Sequence, residues 1–585
     1  MRYVMEQQSY RRNVLVCLIT NVILAFLLIR AEHWNFNDGY FHEVVYGAVI
    51  ATLVFVIPLL YPRFTFLQNL YQKAENLGTA AGTYLKENYR QILINMAVYA
   101  GAALIGLAAA LIINKNEIIT LGIISGCLAV ASVWVCRSSL GDHPEKLFAA
   151  LALISGMFFI QAAPTQVGIC WDDNFHYDGT IALLTVNGAC YKSDAEIIDN
   201  VGDVALDKEG YTQAERQTWD SELNSLYTEE QMMPYNHRNF GTNTIAYIPY
   251  SLGLYFGRGL GLPYTVVFRM EKLFNLLFYI GIFCLAIRKL KFGKILVACI
   301  GLVPTNLFMA TSFSYDPWII SLSVLGYAYF FAALQERDKK LTNSEIAIML
   351  VAFALACIPK ALYVVLMLPL LFMPKDKFAS PKQRKGYLIG GFAIAILLSA
   401  SVLLPMFIHG AGEGDTRGGS NVNSAEQLRF IASEPAAFLK IISSFILKDY
   451  INPLATPQYC VNYAYLGFGR FLYVAPVTLL LTGLLDRKGI SGRTVPVTIG
   501  TMIAVILAII LIPTALYISY TDVRATTVYG CQHRYLMPVV FPALYINGFD
   551  SLKNRISPYI FASVPMLIMA LLFISDLAVI LAEMY

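Results

Sequence analysis

The sequence predicts an all-α polytopic membrane protein, a bundle of transmembrane helices, and three observations carry that prediction. Of its 585 residues, 57% are hydrophobic and only 14% are charged, whereas a soluble domain carries about 25% charged residues. Apolar runs of roughly 17–25 residues recur from end to end, each long enough to cross a hydrocarbon core of about 30 Å. Lys and Arg collect in alternate connections between those runs, the pattern that fixes helix orientation in a bilayer.

Taken in order, fifteen candidate spans fall at 13–30, 43–61, 92–113, 118–136, 147–163, 264–287, 293–312, 317–334, 345–357, 361–374, 386–407, 471–485, 495–517, 535–548 and 558–582. The shorter ones are weak as complete crossings. The 345–374 region is interrupted at Ile358-Pro359-Lys360. Proline removes a backbone donor and turns the preceding residue away from helix, so two half-length helices are expected there. The basic loops include Arg63 to Arg90, Arg288 to Lys294, Arg337 to Lys340, Lys375 to Lys385 and Lys553/Arg555. These are read as cytoplasmic, with the N-terminus inside.

The opposite loops are poor in Lys and Arg. The longest, 164–240, holds fourteen Asp and Glu against four Lys and Arg. For the signs to alternate, Ile245–Phe256 must not cross, and it is read as interfacial, anchored by Tyr247, Tyr250 and Tyr255. Residues 426–448 are read as an external amphipathic helix. The 36 Tyr and 35 Phe are assigned mostly to interfacial belts and helix packing. Two regions follow: a four-span N-terminal module, 1–140, and a main transmembrane region, 141–585, with external loops 164–262 and 408–470.

The net charge of +4 is small, and the basic residues follow the loops, so no nucleic-acid surface is indicated. The first apolar run lacks a small-residue cleavage site and reads as a retained anchor. The ten cysteines show no Cys-x-x-Cys spacing, and most lie in apolar runs as small hydrophobes. Cys170 and Cys190 flank an acidic cluster, and either a disulfide or two thiols fits their spacing.

That cluster, Trp171-Asp172-Asp173-Asn174-Phe175-His176-Tyr177-Asp178, packs three carboxylates and an imidazole into eight residues directly after a span. Ionisable groups at a membrane surface ask for a chemical reason. The predicted topology puts three further groups on the same side: Asp316 in Ser314-Tyr315-Asp316-Pro317, Lys360 at the tip of the broken hairpin, and His533-Arg534 at the start of a late span. Each also has an ordinary structural explanation. Asp172 or Asp173 fits a helix N-cap, and Asp178 is read as a structural cap. Asp316 fits a Pro-initiated helix start, Lys360 can snorkel, and Arg534 can pair with headgroups. Arg269, Glu271 and Lys272 are read as a local ion pair.

Taken together, a carboxylate supplies a general base for a hydroxyl, while Arg, Lys and His hold a phosphate as it departs. A face with lipid on one side and water on the other suits an isoprenoid bearing a phosphate and a polar headgroup. No Gly-x-x-x-x-Gly-Lys-Ser/Thr loop competes. Two adjacent acids and one His fall short of a defined metal site, although a divalent ion is compatible with them.

Several short runs share an order with a known family. Trp171-Asp172-Asp173-x-x-His176, Ser312-x-Ser314-Tyr315-Asp316, Pro359-Lys360, Gly467-Phe468-Gly469 and Gln532-x-Arg534-Tyr535 resemble the bacterial multi-pass family called domain of unknown function 2142, over roughly 145–585. Its pattern reads Asp-Glu-x-x-His, Ser-x-Ser-Tyr-Asp, Lys-Pro, Phe-Gly and Gln-Gly-Arg-Tyr. Asp173 stands where Glu is expected, and His533 where Gly is expected. The family in turn resembles the GT-C glycosyltransferases, membrane enzymes with a catalytic carboxylate in the first external loop and a polyprenyl-phosphate sugar donor.

The resemblance implies a GT-C-like bundle in the bacterial plasma membrane and transfer of a sugar to a hydroxyl of a surface glycan or glycolipid. It implies Asp172 or Asp173 as base, with His176 in support. Arg534 is expected on the lipid phosphate with Lys360 beside it, and His533, an extrapolation because the family has Gly there, and Asp316 are added to that group from the residues themselves. The four leading spans then read as a docking module for glycan-assembly partners. A flippase for a lipid-linked sugar and a non-catalytic scaffold are the competing classes. A transporter would place its charges at the midplane between repeats, and here they gather at span ends.

Overall fold

The computed structural model describes residues 21–25, 52, 65–113, 116–183, 189–199, 212–234, 241–409, 415–452, 457–486, 494–548 and 554–584. The expected spans 13–30 and 43–61 fall almost wholly outside these residues. The described residues are mostly helical, and among them one two-stranded antiparallel ribbon sets β1 (Ala189–Tyr191) on β2 (Met232–Pro234), pairing Cys190 with Met233.

From residue 65 the chain runs through α1 (Thr65–Ile113), α2 (Glu117–Cys136) and α3 (Pro144–Ala162) to α4 (Asp173–Ala182), which carries part of the site. A polar region follows, with α5 (Lys192–Asp199), α6 (Gln213–Ser225) and α7 (Ile248–Gly259). Next come α8 (Tyr264–Lys289), α9 (Lys294–Gly301), α10 (Pro304–Ala310), α11 (Asp316–Gln335) and α12 (Asn343–Cys357). A 3-10 helix, Ala361–Phe372, leads to α13 (Pro381–His409), α14 (Ser424–Ser433) and α15 (Pro435–Phe445). The last are α16 (Val474–Leu485), α17 (Val495–Ser519), α18 (Met537–Asn547) and α19 (Pro558–Met584).

Among the described residues, seven helices are long and apolar enough to cross a membrane: the 78–113 part of α1, then α2, α3, α8, α11, α17 and α19. The bent pair made by α14 with 435–450 brings the figure to eight at most. Several of the fifteen sequence-predicted spans are therefore helices that cannot cross alone. Residues 293–312 break into α9 and α10 at Val303-Pro304, because proline withholds the amide a continuous helix needs. The 345–374 region breaks at Lys360 as expected, and its second half is 3-10 rather than α. Helix α7, twelve residues long, is about 18 Å and too short to cross. The expected single helix over 426–448 bends by 108° where Pro435 interrupts it.

Local sequence sets the helix starts. Asn116 accepts from the amides of Ile118 and Ile119 at 2.9 and 3.1 Å, and Thr342 forms a capping box with Glu345. The bundle closes around α11, which is buried along almost its whole length. Glycine permits the tightest approaches. A Cβ on Gly253 would sit 2.5 Å from the Met270 carbonyl oxygen, so α7 lies directly on α8. A second, smaller core under the 164–262 region gathers Tyr177, Tyr247, Tyr250, Tyr264, Phe268 and Phe313. It seats α4 against α7 and α8, which fixes the acidic cluster.

Candidate functional site

The site begins where α3 ends. A turn through Gly168 (φ 91°) delivers Asp172 and Asp173, and the two neighbours part company at once. Asp173, 3% exposed, turns inward and accepts from the amides of Gly168 (2.7 Å), Ile169 (3.1 Å) and Cys170 (2.9 Å). Its carboxylate ties the turn together. Burial pushes its pKa upward, and those three amides act against the rise. Asp172 adopts a left-handed conformation (φ 54°, ψ 21°) at the N-cap of α4 without capping it. Its side chain stays 45% exposed. The helix itself begins one residue later, at Asp173.

Asp172 is met by two arginines. Arg534, on the 3-10 turn His533–Leu536, approaches Asp172 Oδ2 at 3.5 Å, and Arg417 approaches Oδ1 at 3.8 Å. Arg417 is also ion-paired with Asp415 and lies over the ring of Phe175 at 4.9 Å. The Asp415 carboxylate holds its guanidinium above the ordinary range. Nothing in the sequence singled out Arg417, which follows a loop far from every motif.

Arg534 is 1% exposed at its side chain and sits 4.6 Å over the Trp171 ring. Its Nη1 is 3.2 Å from Asp316 Oδ2, yet neither Nη1 nor Nε has a hydrogen-bond acceptor in line. Asp316, at the first turn of α11, also faces Lys360 Nζ at 3.8 Å. The Lys360 ammonium lies over the rings of Tyr535 (3.6 Å) and Tyr315 (4.9 Å). Asp172, Arg534, Asp316 and Lys360, more than 360 positions apart at their extremes, thus form one continuous charged string.

His176 is buried beside them. Its Nδ1 is 2.7 Å from the Tyr247 hydroxyl, and its ring meets Tyr315 edge-on at 4.7 Å. Burial, and then the Arg534 charge, push its pKa down to about 3, against the pull of Asp316. The imidazole is therefore neutral at ordinary pH.

Other expectations meet a different structure. His533 turns away from the string, its Nε2 2.8 Å from the Asp449 carbonyl oxygen, because the 3-10 turn sends adjacent side chains apart. Asp178 is a buried residue inside α4 rather than a cap. Arg269 pairs with Asp220 at 3.5 Å and Lys272 lies 4.3 Å over Phe268. Glu271 finds no hydrogen-bond partner for either oxygen, so these three do not form a local ion pair. Cys170 and Cys190 are both free and buried. Among the described residues, no group of three or more His, Cys, Asp and Glu is placed to hold a metal ion.

The Gly467-Phe468-Gly469 motif proves to be a structural clasp next to the site. Asp576 of α19 accepts from the Arg470 amide (3.1 Å) and the Tyr463 hydroxyl (3.2 Å). Only glycine fits at 469, where a Cβ would lie 2.0 Å from Asp576 Oδ2. The clasp carries Tyr465, whose amide donates to the Ile169 carbonyl in the turn before Asp172.

A comparison with protein families finds one whose description is predicted membrane protein (DUF2142), matching residues 153–542. The match takes in Asp172, His176, Asp316, Lys360, Arg417 and Arg534. No curated protein and no solved structure matches the chain.

Proposed function

This chain belongs to the DUF2142 family of predicted membrane proteins, and from that premise we propose that it transfers a sugar from a polyprenyl-phosphate donor to a hydroxyl of a surface glycan or glycolipid. The observation that carries the reading is Arg534. Its guanidinium is buried, with two donors lacking acceptors, beside a half-exposed carboxylate. Buried donors without partners are rare and costly. A phosphate bridging Arg534 and Lys360 would supply the acceptors, and charge-assisted bonds to phosphate are strong.

Asp172 then acts as the base. The acceptor oxygen attacks the anomeric carbon as Asp172 takes its proton. The carbon–oxygen bond to phosphate breaks, and its electron pair leaves on the phosphate oxygen, which Arg534 stabilises. One displacement inverts the anomeric centre. Asp316 holds Arg534 and Lys360 in place through its two oxygens, and Asp173 keeps the turn that presents Asp172. The reading puts this face outside the plasma membrane of a bacterium, with the basic loops in the cytoplasm. The GT-C-like architecture, the further short crossings and a docking role for the N-terminal spans belong to the same proposal.

The test is transfer by the purified full chain in lipid nanodiscs, using a polyprenyl-phosphate sugar as donor and a lipid-linked saccharide as acceptor. Asp172→Asn should abolish transfer without loss of folded protein. Arg534→Lys, which keeps the charge but loses the planar fork, should lower it by about 10²–10³-fold. Wild-type rates in a folded Asp172→Asn variant would overturn the reading.

A further inference from the structure

Asn243 and Tyr247, which the transfer reading leaves without a task, form a hydrogen-bonded chain that runs from a half-buried amide to the buried His176. Asn243 Nδ2 donates to the Tyr247 oxygen at 3.1 Å, and that hydroxyl is 2.7 Å from His176 Nδ1. A phenol has one proton. Its oxygen accepts from the amide, and among the described residues the imidazole Nδ1 is the acceptor within reach of the buried hydroxyl proton, so the phenol donates and Nδ1 accepts. A neutral imidazole with a bare Nδ1 carries its proton on Nε2. The seating is built for this contact. Tyr247 closes the 3-10 turn Thr242–Tyr247, whose start is tied by the Gly241 amide donating to Thr244 Oγ1 at 3.0 Å. A Cβ on Gly179 would meet the Tyr247 ring at 2.4 Å, so the phenol rests directly on the helix that carries His176.

Around the ring stand Arg534, Lys360 and Asp316, with Tyr315 across its edge and Tyr247 on its Nδ1. Nε2 makes no hydrogen bond among the described residues and faces away from Tyr247. We propose that Asn243 and Tyr247 are positioning residues that hold His176 as the neutral Nε2–H tautomer, so that it serves as a fixed hydrogen-bond donor to an oxygen of the bound lipid phosphate and not as a base. This rests on the transfer reading only for the identity of the ligand. The tautomer stands on the hydrogen-bond chain alone. With Arg534 and Lys360 it makes a third donor, one that adds direction without adding charge.

The experiment has two arms on the full chain in nanodiscs. In the first, histidine is labelled with nitrogen-15, and the His176 resonances are identified by their loss in His176→Gln. The expected spectrum is the Nε2–H tautomer, unchanged between about pH 5 and 8, turning into a tautomer mixture in Tyr247→Phe. An Nδ1–H spectrum, or titration within that range, would overturn the proposal. In the second arm, binding of farnesyl phosphate is measured. His176→Phe should weaken it about 10–100-fold, the effect of one bond to a charged group. His176→Gln, whose amide nitrogen reaches the Nε2 position, should restore most of the loss. Equal weakening by both variants would overturn the donor role. Failure of the wild-type chain to bind farnesyl phosphate would overturn the transfer reading, and the phosphate as the histidine's ligand with it, whatever the tautomer.

Discussion

Replacing Asp173 by Asn should damage the fold, whereas the same change at Asp172 should not, although the two residues are adjacent and alike. Asp173 satisfies three buried amides through two oxygens, Gly168 on Oδ1 and Ile169 and Cys170 on Oδ2. Asparagine keeps one oxygen and sets an NH2 group against at least one of those donors. An unsatisfied buried amide costs about 1–3 kcal/mol, and the bonds that survive lose their charge assistance, about 1 kcal/mol each. Sparing the burial of a charge offsets part of this, leaving about 2–4 kcal/mol of destabilisation. Asp172 is half-exposed, with its two arginines at 3.5 and 3.8 Å, so its loss should cost at most about 1 kcal/mol. Thermal unfolding of the two variants in one detergent–lipid mixture separates the cases. Asp173→Asn should melt well below wild type and Asp172→Asn close to it. Equal stability, or the reverse order, would refute this division of labour. A variant carrying both changes would mix folding with chemistry, so the single changes are needed.

Gly469→Ala should destabilise by about 1–3 kcal/mol, since the added Cβ would lie 2.0 Å from Asp576 Oδ2 and 3.1 Å from the Val461 side chain. Limited proteolysis within 457–473 reads this directly. The pH dependence of stability should carry the mark of His176. Its pKa falls from 6.5 to about 3 on folding, so between these values the unfolded chain binds a proton that the folded chain refuses. Stability should be flat above about pH 6.5 and should decline as the pH drops below it toward 3. His176→Gln should flatten that acid-side slope in a melting series from pH 7 to pH 4.

What could be read from the sequence depended on how local its cause was. Long apolar runs such as 495–517 and 558–582 announced α17 and α19, and Pro359 announced the break at Lys360. Span number was harder to read, because 293–312 and 535–548 are apolar enough to cross but are cut short by Pro304 or end early. Within the site, Asp172, Asp316, Lys360 and Arg534 share an unusual chemistry at the ends of apolar runs, and their grouping was visible. The fates of Asp172 and Asp173 were not, because they hang on one turn at Gly168. Arg417 and the Tyr247–His176 bond were out of reach as well. Both are made by tertiary contacts across more than 70 residues, with no periodicity to betray them.

The backbone at Asp172 limits which side chains can stand there. A left-handed conformation disfavours residues with a Cβ by roughly 1–2 kcal/mol, and Asn and Asp bear it best because their short polar side chains bond locally. Glutamate at 172 would meet that strain and carry its carboxylate one methylene too far from both arginines. Chain length and backbone shape are coupled at this position, so the usual conservative exchange of one acid for the other is not conservative. A library randomised at 172 should keep folded protein chiefly with Asp, Asn and Gly, and a working carboxylate with Asp alone.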